Sequence, residues 1–422
     1  MELKEISNEE FNSFVKTYDI SSMYQTSEYG TVMKNHNYET IYVGLFDETD
    51  NIVAASLLLI EKLGKFKYAN APRGFLIDYN DEELLNEFTI KIKSFLKKLH
   101  VMAVKISPLI YKTKYTNNAT ISLDNPKYDN AIKNLKNLKY YHLGFNNKFE
   151  ALKPRFVAIK ELDTNINKMF NDLDKDIKSK IKLSDFAGVR IYRANEDNLE
   201  FVYENLREKK DNSMEYIKDL YSNFNKSNKI EVFLAQLETK VYLVNTQIEY
   251  QKQINVCGEI TDELFKNQGK SNNELINKKI AEDNKLAVLK NQLIYATNLL
   301  KDNPNGIIIA AIMAIKHKNC VYLTLDGEIN KYTHFCPKQL LIWKLIEKYA
   351  TEGYKYINLG GMTNPKEEKE NKFKIINELK LSFNSDCIEY SGDFELVTHR
   401  LLYTMYRNAS PIRKMVFAQP KK

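Results

Sequence analysis

Residues 241–305 read VYLVNTQIEYQKQINVCGEITDELFKNQGKSNNELINKKIAEDNKLAVLKNQLIYATNLLKDNPN. No proline falls between Arg155 and Asn303, so a long helix is permitted here. Leu243, Gln247, Tyr250, Ile254, Cys257, Thr261, Leu264 and Gln268 step by fours and threes. Leu286, Leu289, Leu293, Ala296 and Leu300 do the same. Between the two runs, Asn267 to Asn273 has the composition of a turn. Two helices of period near 3.5 joined by a short polar loop predict an antiparallel coiled-coil hairpin over 243–302. So narrow a seam cannot be a domain core, so the hairpin should project as an arm. Gly258 lies inside its first helix and costs that helix about 1 kcal/mol. Asn303-Pro304-Asn305-Gly306 ends the arm.

Outward from the arm, β-branched runs predict strands at Ile230–Leu237 and Gly306–Ile315. The polar tetrapeptide Lys316–Asn319 leads to another strand at Cys320–Leu325. Helices are expected at Glu196–Lys210, Glu215–Asn225 and Pro337–Thr351, then a strand at Lys355–Gly360. The first third has a similar order. It runs from a helix at Asn8–Tyr18, through strands at Tyr38–Phe46 and Asn51–Glu61, to a helix at Asp81–Leu99 and a strand at Val101–Ser107. An α/β unit is therefore repeated. In the first copy the turn Asp47–Asp50 does what the arm does in the second. The expected domains are 1–153, with a C-terminal helix 396–422 packed on it, and 154–242 with 303–395. The arm at 243–302 interrupts the latter.

A chain of 422 residues holds two or three cores, and 27 Tyr and 21 Phe supply them. The formal charge of +7 permits an anionic partner without requiring one. The start MELKEISNEEF is acidic and unlike a secretory leader, which predicts a cytoplasmic protein. The longest apolar run, near Ile307–Ile315, is about half a bilayer span and reads as a buried strand. Contact with the inner face of a membrane stays compatible with this. Cys257, Cys320, Cys336 and Cys387 have no metal or redox spacing, and the histidines form no HExxH, so neither metal nor disulfide is expected. Neither GxGxxG nor GxxxxGK[ST] occurs, so no nucleotide cofactor is expected.

Four stretches carry a resemblance: YQTSEYGTVMKNHNYE from Tyr24, YANAPRGFLIDY from Tyr68, CPKQLLIWKLIEKYATEGYKYINLGGM from Cys336, and LKLSFNSDCIEYSGDFEL from Leu379. With the arm, and in this order, they resemble the Fem family of peptidoglycan-bridge aminoacyltransferases over nearly the whole chain. The resemblance implies two GNAT-like acyltransferase units. It implies transfer of an amino acid from aminoacyl-tRNA to the stem-peptide amine of a cell-wall precursor, lipid II or a UDP-linked muropeptide, with no DNA partner and no cofactor. Tyr24 and Gln25 match the family's aromatic-Gln-Ser start, and Lys34 its following lysine, associated with the precursor's diphosphate. A lysine ammonium is a suitable point charge for phosphate. Asn70-Ala71-Pro72-Arg73-Gly74 matches the family's Pro-Arg-Gly or Pro-Tyr-Gly turn beside the substrate cleft, which implies that Arg73 contacts phosphate or carboxylate, or pins the turn.

Lys380 and Phe383 match the family's Phe-Lys-x-x-Phe element, whose lysine is linked to the transfer step. A cation there would stabilise a tetrahedral oxyanion or the leaving ribose oxygen. Leu379 replaces the first Phe, and Lys374 in Lys372-Phe373-Lys374 is the competing lysine. Lys105-Ile106-Ser107-Pro108 corresponds to a Lys-Ile-Asp-Pro pattern with Ser107 in place of the carboxylate, so no general base is assigned. Lys178 and Lys182, four apart on one helical face, resemble a basic helix that opens the second unit. They are tRNA candidates, as are Lys278, Lys279, Lys285 and Lys290 on the arm. From Leu243 to Asp302, however, eight Lys face eight Asp or Glu, so the arm is neutral. Arg207 is the nearest arginine for a second diphosphate contact. Two other readings stay open: a GNAT-like N-acyltransferase using acyl-CoA, and an inactive paralogue binding RNA or protein through its arm.

Overall fold

The computed structural model describes residues 1–116, 118–145, 153–205, 213–267, 272–366 and 373–409. The arm is an antiparallel pair of helices, Thr239–Lys266 and Asn273–Asp302. Gly258 is exposed with open space around it, so its only cost is conformational. The seam buries Thr246, Cys257 and Ile260 against a returning helix that buries Ala296 and Leu299. Gln253 crosses it, its Nε2 donating to the Glu282 carbonyl at 3.1 Å and carboxylate at 2.8 Å. The outgoing helix is therefore rotated from its expected register. Gln247 and Ile254 face solvent, and Thr246, Gln253 and Ile260 take the seam. The base sets this rotation: Tyr242 meets the Phe335 ring edge-on at 5.0 Å, and the Asn245 side chain donates to the Phe186 carbonyl at 2.6 Å.

The arm leaves from a strand hairpin. Ile230–Leu237 and Ile307–His317 pair from Ile230↔Ile315 to Leu237↔Ile307, so the ends that carry the arm are already adjacent. The equivalent hairpin in the first half joins Glu39–Phe46 to Ile52–Leu63. There a single side chain closes the turn: Asp47 Oδ1 accepts from the Thr49 and Asn51 amides, each at 2.9 Å.

Two mixed sheets result. The first runs Glu2–Glu5, Glu39–Phe46, Ile52–Leu63, Phe66–Ala71, Val101–Ile106, Asp393–Val397 and Tyr140–Gly144. The second runs Val189–Ala194, Ile230–Leu237, Ile307–His317, Cys320–Glu328, Tyr356–Met362, Phe156–Glu161 and Asp386–Tyr390, then the hairpin Tyr111–Thr116 and Ile121–Asp124. In both, the fourth and fifth strands are parallel and all other neighbours antiparallel. A parallel pair needs a crossover, and helices Glu82–Lys98 and Pro337–Thr351 provide it. The repeat read from the sequence is thus a repeat of strand order and direction, in an α/β fold of two such units.

Two strand exchanges tie the halves together. The late strand Asp393–Val397 completes the first sheet, and the early hairpin Tyr111–Asp124 extends the second. A shared core packs Met23, Tyr29 and Leu57 with Leu220, Phe224 and Met313. The turn after Ile315 is shorter than expected. Lys316 and His317 continue the strand, leaving only Lys318 (φ 53°) and Asn319 between His317 and Cys320. The reason is that His317 is buried against the first half, its Nε2 2.9 Å from Ser21 Oγ. The helix expected over 196–210 is a short 3-10 turn, Glu196–Asn198, and then a helix, Leu199–Glu204. Its continuation, Arg207, the middle of the arm loop and the chain beyond Ala409 lie outside the described residues.

Candidate active site

The parallel strands of the second sheet pair only from Cys320↔Tyr356 to Tyr322↔Asn358 and then part. At the parting point the strand bulges. Asn358 Oδ1 accepts from the Gly360 amide at 2.8 Å, and Gly360 adopts φ 84°. Lys380 enters beside this bulge, its ammonium donating to the Gly361 carbonyl at 2.5 Å. The positive φ is what favours glycine at 360, since a Cβ there would make only ordinary contact with Lys380 Nζ at 3.4 Å. The helix Lys374–Leu381 carrying Lys380 is clamped to the strand end by Asn377. Its Nδ2 donates to Thr363 Oγ1 at 2.7 Å, and its Oδ1 accepts from the Thr363 amide at 3.1 Å. Phe383 is wholly buried in the second core and offers nothing to a ligand; it fixes the chain after Lys380. Lys374 is exposed and pairs with Glu378 at 3.6 Å on its own helix.

Arg73 joins the two halves. It follows strand Phe66–Ala71, takes φ 54° and is buried. Its Nη2 donates to the Pro154 carbonyl at 3.1 Å, and its guanidinium lies 4.5 Å from the Tyr390 ring centroid. Its charge reaches the hydroxyls of Tyr24, Tyr322 and Tyr390. Burial raises all three, Tyr24 to about 12, and Arg73 opposes the rise. Gln25 holds the turn from behind. Its Nε2 donates to the Pro72 carbonyl at 2.9 Å and the Leu57 carbonyl at 3.3 Å, while its Oε1 accepts from the Leu57 amide at 2.8 Å. Its amide is fully employed within the protein, so its place is structural. In the second sheet, Gly361 and the strand bearing Tyr390 are separated by Phe156–Glu161. Two strand spacings separate Gly361, which Lys380 contacts, from the strand bearing Tyr390, on the order of 10 Å across the sheet.

A cation cluster adjoins Arg73. Asn70 pairs in register with Lys105, and Lys153 Nζ donates to Asn70 Oδ1 at 3.4 Å. Lys105 lies 4.0 Å from the Asp393 carboxylate. Burial pushes the Lys153 ammonium down to about 7; Lys105 and Arg73 push the same way, and Asp393 opposes them. Ser107, where the resemblance expects a carboxylate, is buried, and its hydroxyl has no hydrogen-bond partner among the described residues. Lys153, Tyr322 and Tyr390 were not singled out from the sequence. Lys153 and Tyr322 stand outside the motifs and Tyr390 inside the last of them, and only the tertiary fold brings all three to Arg73.

The remaining candidates lie apart. Lys34 is exposed in the last turn of helix Ser27–Asn35, and no described hydrogen bond or ion pair joins it to Arg73 or Lys380. Lys178 donates to the Asn171 carbonyl at 2.9 Å, and Lys182 is exposed. On the arm, Lys279 pairs with Asp283 and Lys285 with Glu282, while Lys278 and Lys290 are exposed. A cavity of about 430 Å³, lined by Asp174, Asp176, Lys180, Gln339, Glu378 and Ser382 among others, opens beside the helix of Lys380, but Lys380 does not line it. Among the described residues no group of His, Cys, Asp or Glu is arranged to hold a metal, and no helix is long and apolar enough to cross a membrane.

The arrangement suits acyl transfer. A lysine at the parting of two parallel strands can polarise a carbonyl, and a buried guanidinium among tyrosines can hold an anion or a polar peptide. Comparison with known proteins agrees. The model of the FemAB family matches residues 6–410. The chain is similar to the lipid II:glycine glycyltransferase of Staphylococcus haemolyticus, at 23% identity across 97% of this chain and 96% of that one. It is similar to the aminoacyltransferase FemA of Staphylococcus epidermidis, at 25% identity across 98% of this chain and 100% of that one. Its fold matches the crystal structure of FemX with a TM-score of 0.73 and 19% identity, covering 96% of this chain and 99% of that one.

Proposed function

Because this chain belongs to the FemAB family and is a transferase, we propose that it moves an amino acid from an aminoacyl-tRNA ester to the stem-peptide amine of a peptidoglycan precursor, with lipid II favoured over a UDP-linked muropeptide. The placement of Lys380 carries this reading. Its ammonium sits at the parting of the parallel strands, where an acyl carbonyl can enter. The neutral acceptor amine attacks the ester carbon, and a tetrahedral oxyanion forms beside Lys380. The C–O bond to the tRNA ribose then breaks. The nitrogen loses one proton, the ribose oxygen gains one, and an amide remains. No metal or redox partner is needed for this balance. Proximity supplies much of the rate, and the cation supplies the rest. Arg73 and the tyrosines around it hold the acceptor; Lys34 contacts its diphosphate. Lys178, Lys182 and the exposed arm lysines Lys278 and Lys290 meet the tRNA.

The division into 1–153, 154–242 with 303–395, and an arm at 243–302 belongs to this proposal, with the two strand exchanges crossing it. The test supplies purified protein with tRNA charged with Gly, Ala or Ser and with purified lipid II. A new amide on the stem peptide is expected with one of them. Absence of product with all three, beside product from acetyl-CoA, overturns the reading.

A further inference from the structure

The last helix, Arg400–Ala409, packs Leu402, Tyr403 and Tyr406 on the first sheet, with the Tyr406 and Phe66 rings 5.3 Å apart. Among the described residues its other side is unpartnered: Leu401 is 66% exposed and Met405, one turn on, 44%. Arg400 and Arg407 flank them. Phe66 lies at the tip of the hairpin between Ile52–Leu63 and Phe66–Ala71, which adds exposed Lys62 and Lys65 beside the helix. Tyr141, 59% exposed, pairs in register with Glu395, and Glu395 accepts from both Tyr403 and Tyr68. Apolar side chains, an exposed tyrosine and a rim of cations thus form one continuous face. The described cations of this face are Lys62, Lys65, Arg400 and Arg407, all exposed.

This face shares its side of the sheet with the cation cluster. Asn70, Lys105, Glu395 and Tyr141 form one row across four strands, so their side chains point the same way. The helix reaches that row at Glu395 through Tyr403, while Lys153 contacts it at Asn70 and Asp393 at Lys105.

We propose that helix Arg400–Ala409 and the hairpin tip Lys62–Lys65 dock on an anionic lipid surface, placing the cation cluster at the membrane from which a lipid-linked acceptor is drawn. The last clause rests on the lipid II reading above; the docking does not. An amphipathic helix with a basic rim lies in the interface by burying its apolar side chains and pairing its cations with anionic headgroups. Exposed tyrosine suits the same boundary. A nucleic acid would use the cations but leave Leu401 and Met405 exposed. A second copy meeting this face symmetrically would set like charges together.

The test is co-sedimentation of the full chain with vesicles of phosphatidylglycerol and phosphatidylcholine, and with vesicles of phosphatidylcholine alone. Binding to the anionic vesicles only is expected. Each cation at such a surface contributes about fivefold, so Lys62→Ser with Lys65→Ser weakens binding roughly 25-fold. Leu401→Gln with Met405→Gln weakens it roughly tenfold by removing apolar burial. All four side chains lie at the surface or its edge, and far-UV circular dichroism confirms that the variants fold. Equal binding to neutral vesicles, no binding at all, or variants that bind like the parent overturn the proposal. So does loss of tRNA affinity in the lysine variant with vesicle binding intact, which assigns the face to RNA. Vesicle binding is read without substrate, so a failure of transfer with docking intact counts only against the proposed activity.

Discussion

The Arg73 guanidinium, from the first half of the chain, lies 4.5 Å from the ring centroid of Tyr390, from the last strand of the second sheet. It also donates to the Pro154 carbonyl, where the chain enters that sheet. One planar cation thereby fixes the approach of both halves at the candidate cleft. Lysine keeps the charge but neither the fork nor the stacking plane. Arg73→Lys is expected to cost about 1–2 kcal/mol of stability, read by urea titration. It should also lower kcat/KM for transfer at least tenfold, because the Tyr24–Tyr322–Tyr390 surroundings lose their centre.

Lys153 gives a pH signature. Its folded pKa is about 7, against an ordinary value of 10.5. Between these values the unfolded chain binds a proton that the folded chain does not, so this group makes stability rise with pH across that window. Its full cost applies below about pH 7 and is relieved toward about pH 10.5. Lys153→Met removes the cost. The variant should be more stable than the parent near pH 6, by at least about 1 kcal/mol, and the gap should narrow near pH 10. Equal differences in urea midpoint at the two pH values would rule this out.

Local pattern was enough to read the arm, the repeat and most strands. Ile230–Leu237 and Pro337–Thr351 stand where β-branched and amphipathic runs put them. The outgoing arm helix was misregistered because Gln253 and Thr246 take seam places that hydrophobic periodicity assigns to Ile254 and Gln247. The His317 turn was misjudged because a polar residue there is buried by a distant partner, Ser21. For the same reason the site was only half visible. Lys380 and Arg73 stand in local motifs, but Tyr322, Tyr390 and Lys153 reach Arg73 only through the tertiary fold.

Lys380 and Lys374 separate cleanly by experiment. Lys380 touches the bulge at Gly361, whereas Lys374 is solvated and paired on its own helix. If Lys380 steadies the oxyanion, Lys380→Met lowers kcat about 10²–10³-fold with little change in KM. Lys374→Ala should change kcat less than about threefold, because an exposed pair contributes little. Single-turnover rates with charged tRNA and lipid II measure both; equal losses would count against Lys380 as the special cation.

Gln25 should behave as a structural residue despite its place in a substrate-associated motif. Gln25→Ala breaks three hydrogen bonds and leaves the Leu57 amide and Pro72 carbonyl buried without their partner. The expected cost is about 2–4 kcal/mol, visible as a fall in Tm. KM for the acceptor in the folded fraction should stay near that of the parent. A large KM change without a fall in Tm would return Gln25 to the binding surface.

The arm can be shortened without unfolding the body. Its two ends join strands that are paired up to Leu237↔Ile307, so the hairpin closes whatever is inserted there. Among the described residues only the base reaches the core, through Tyr242, Tyr295 and Leu299 beside Phe335. Replacing residues 250–290 with a short Gly/Ser turn keeps that base and removes Cys257, Ile260 and the Gln253–Glu282 crossing. Tm should fall by only a few degrees, since the lost seam is narrow and largely wet. The shortened enzyme then isolates what the arm contributes. If the arm grips tRNA, KM for charged tRNA rises while KM for lipid II is unchanged. Eight Lys against eight acids between Leu243 and Asp302 imply a weak electrostatic grip, so the rise should be modest and its salt dependence shallow. A steep salt dependence lost on shortening would show instead that Lys278 and Lys290 act as a concentrated basic stripe.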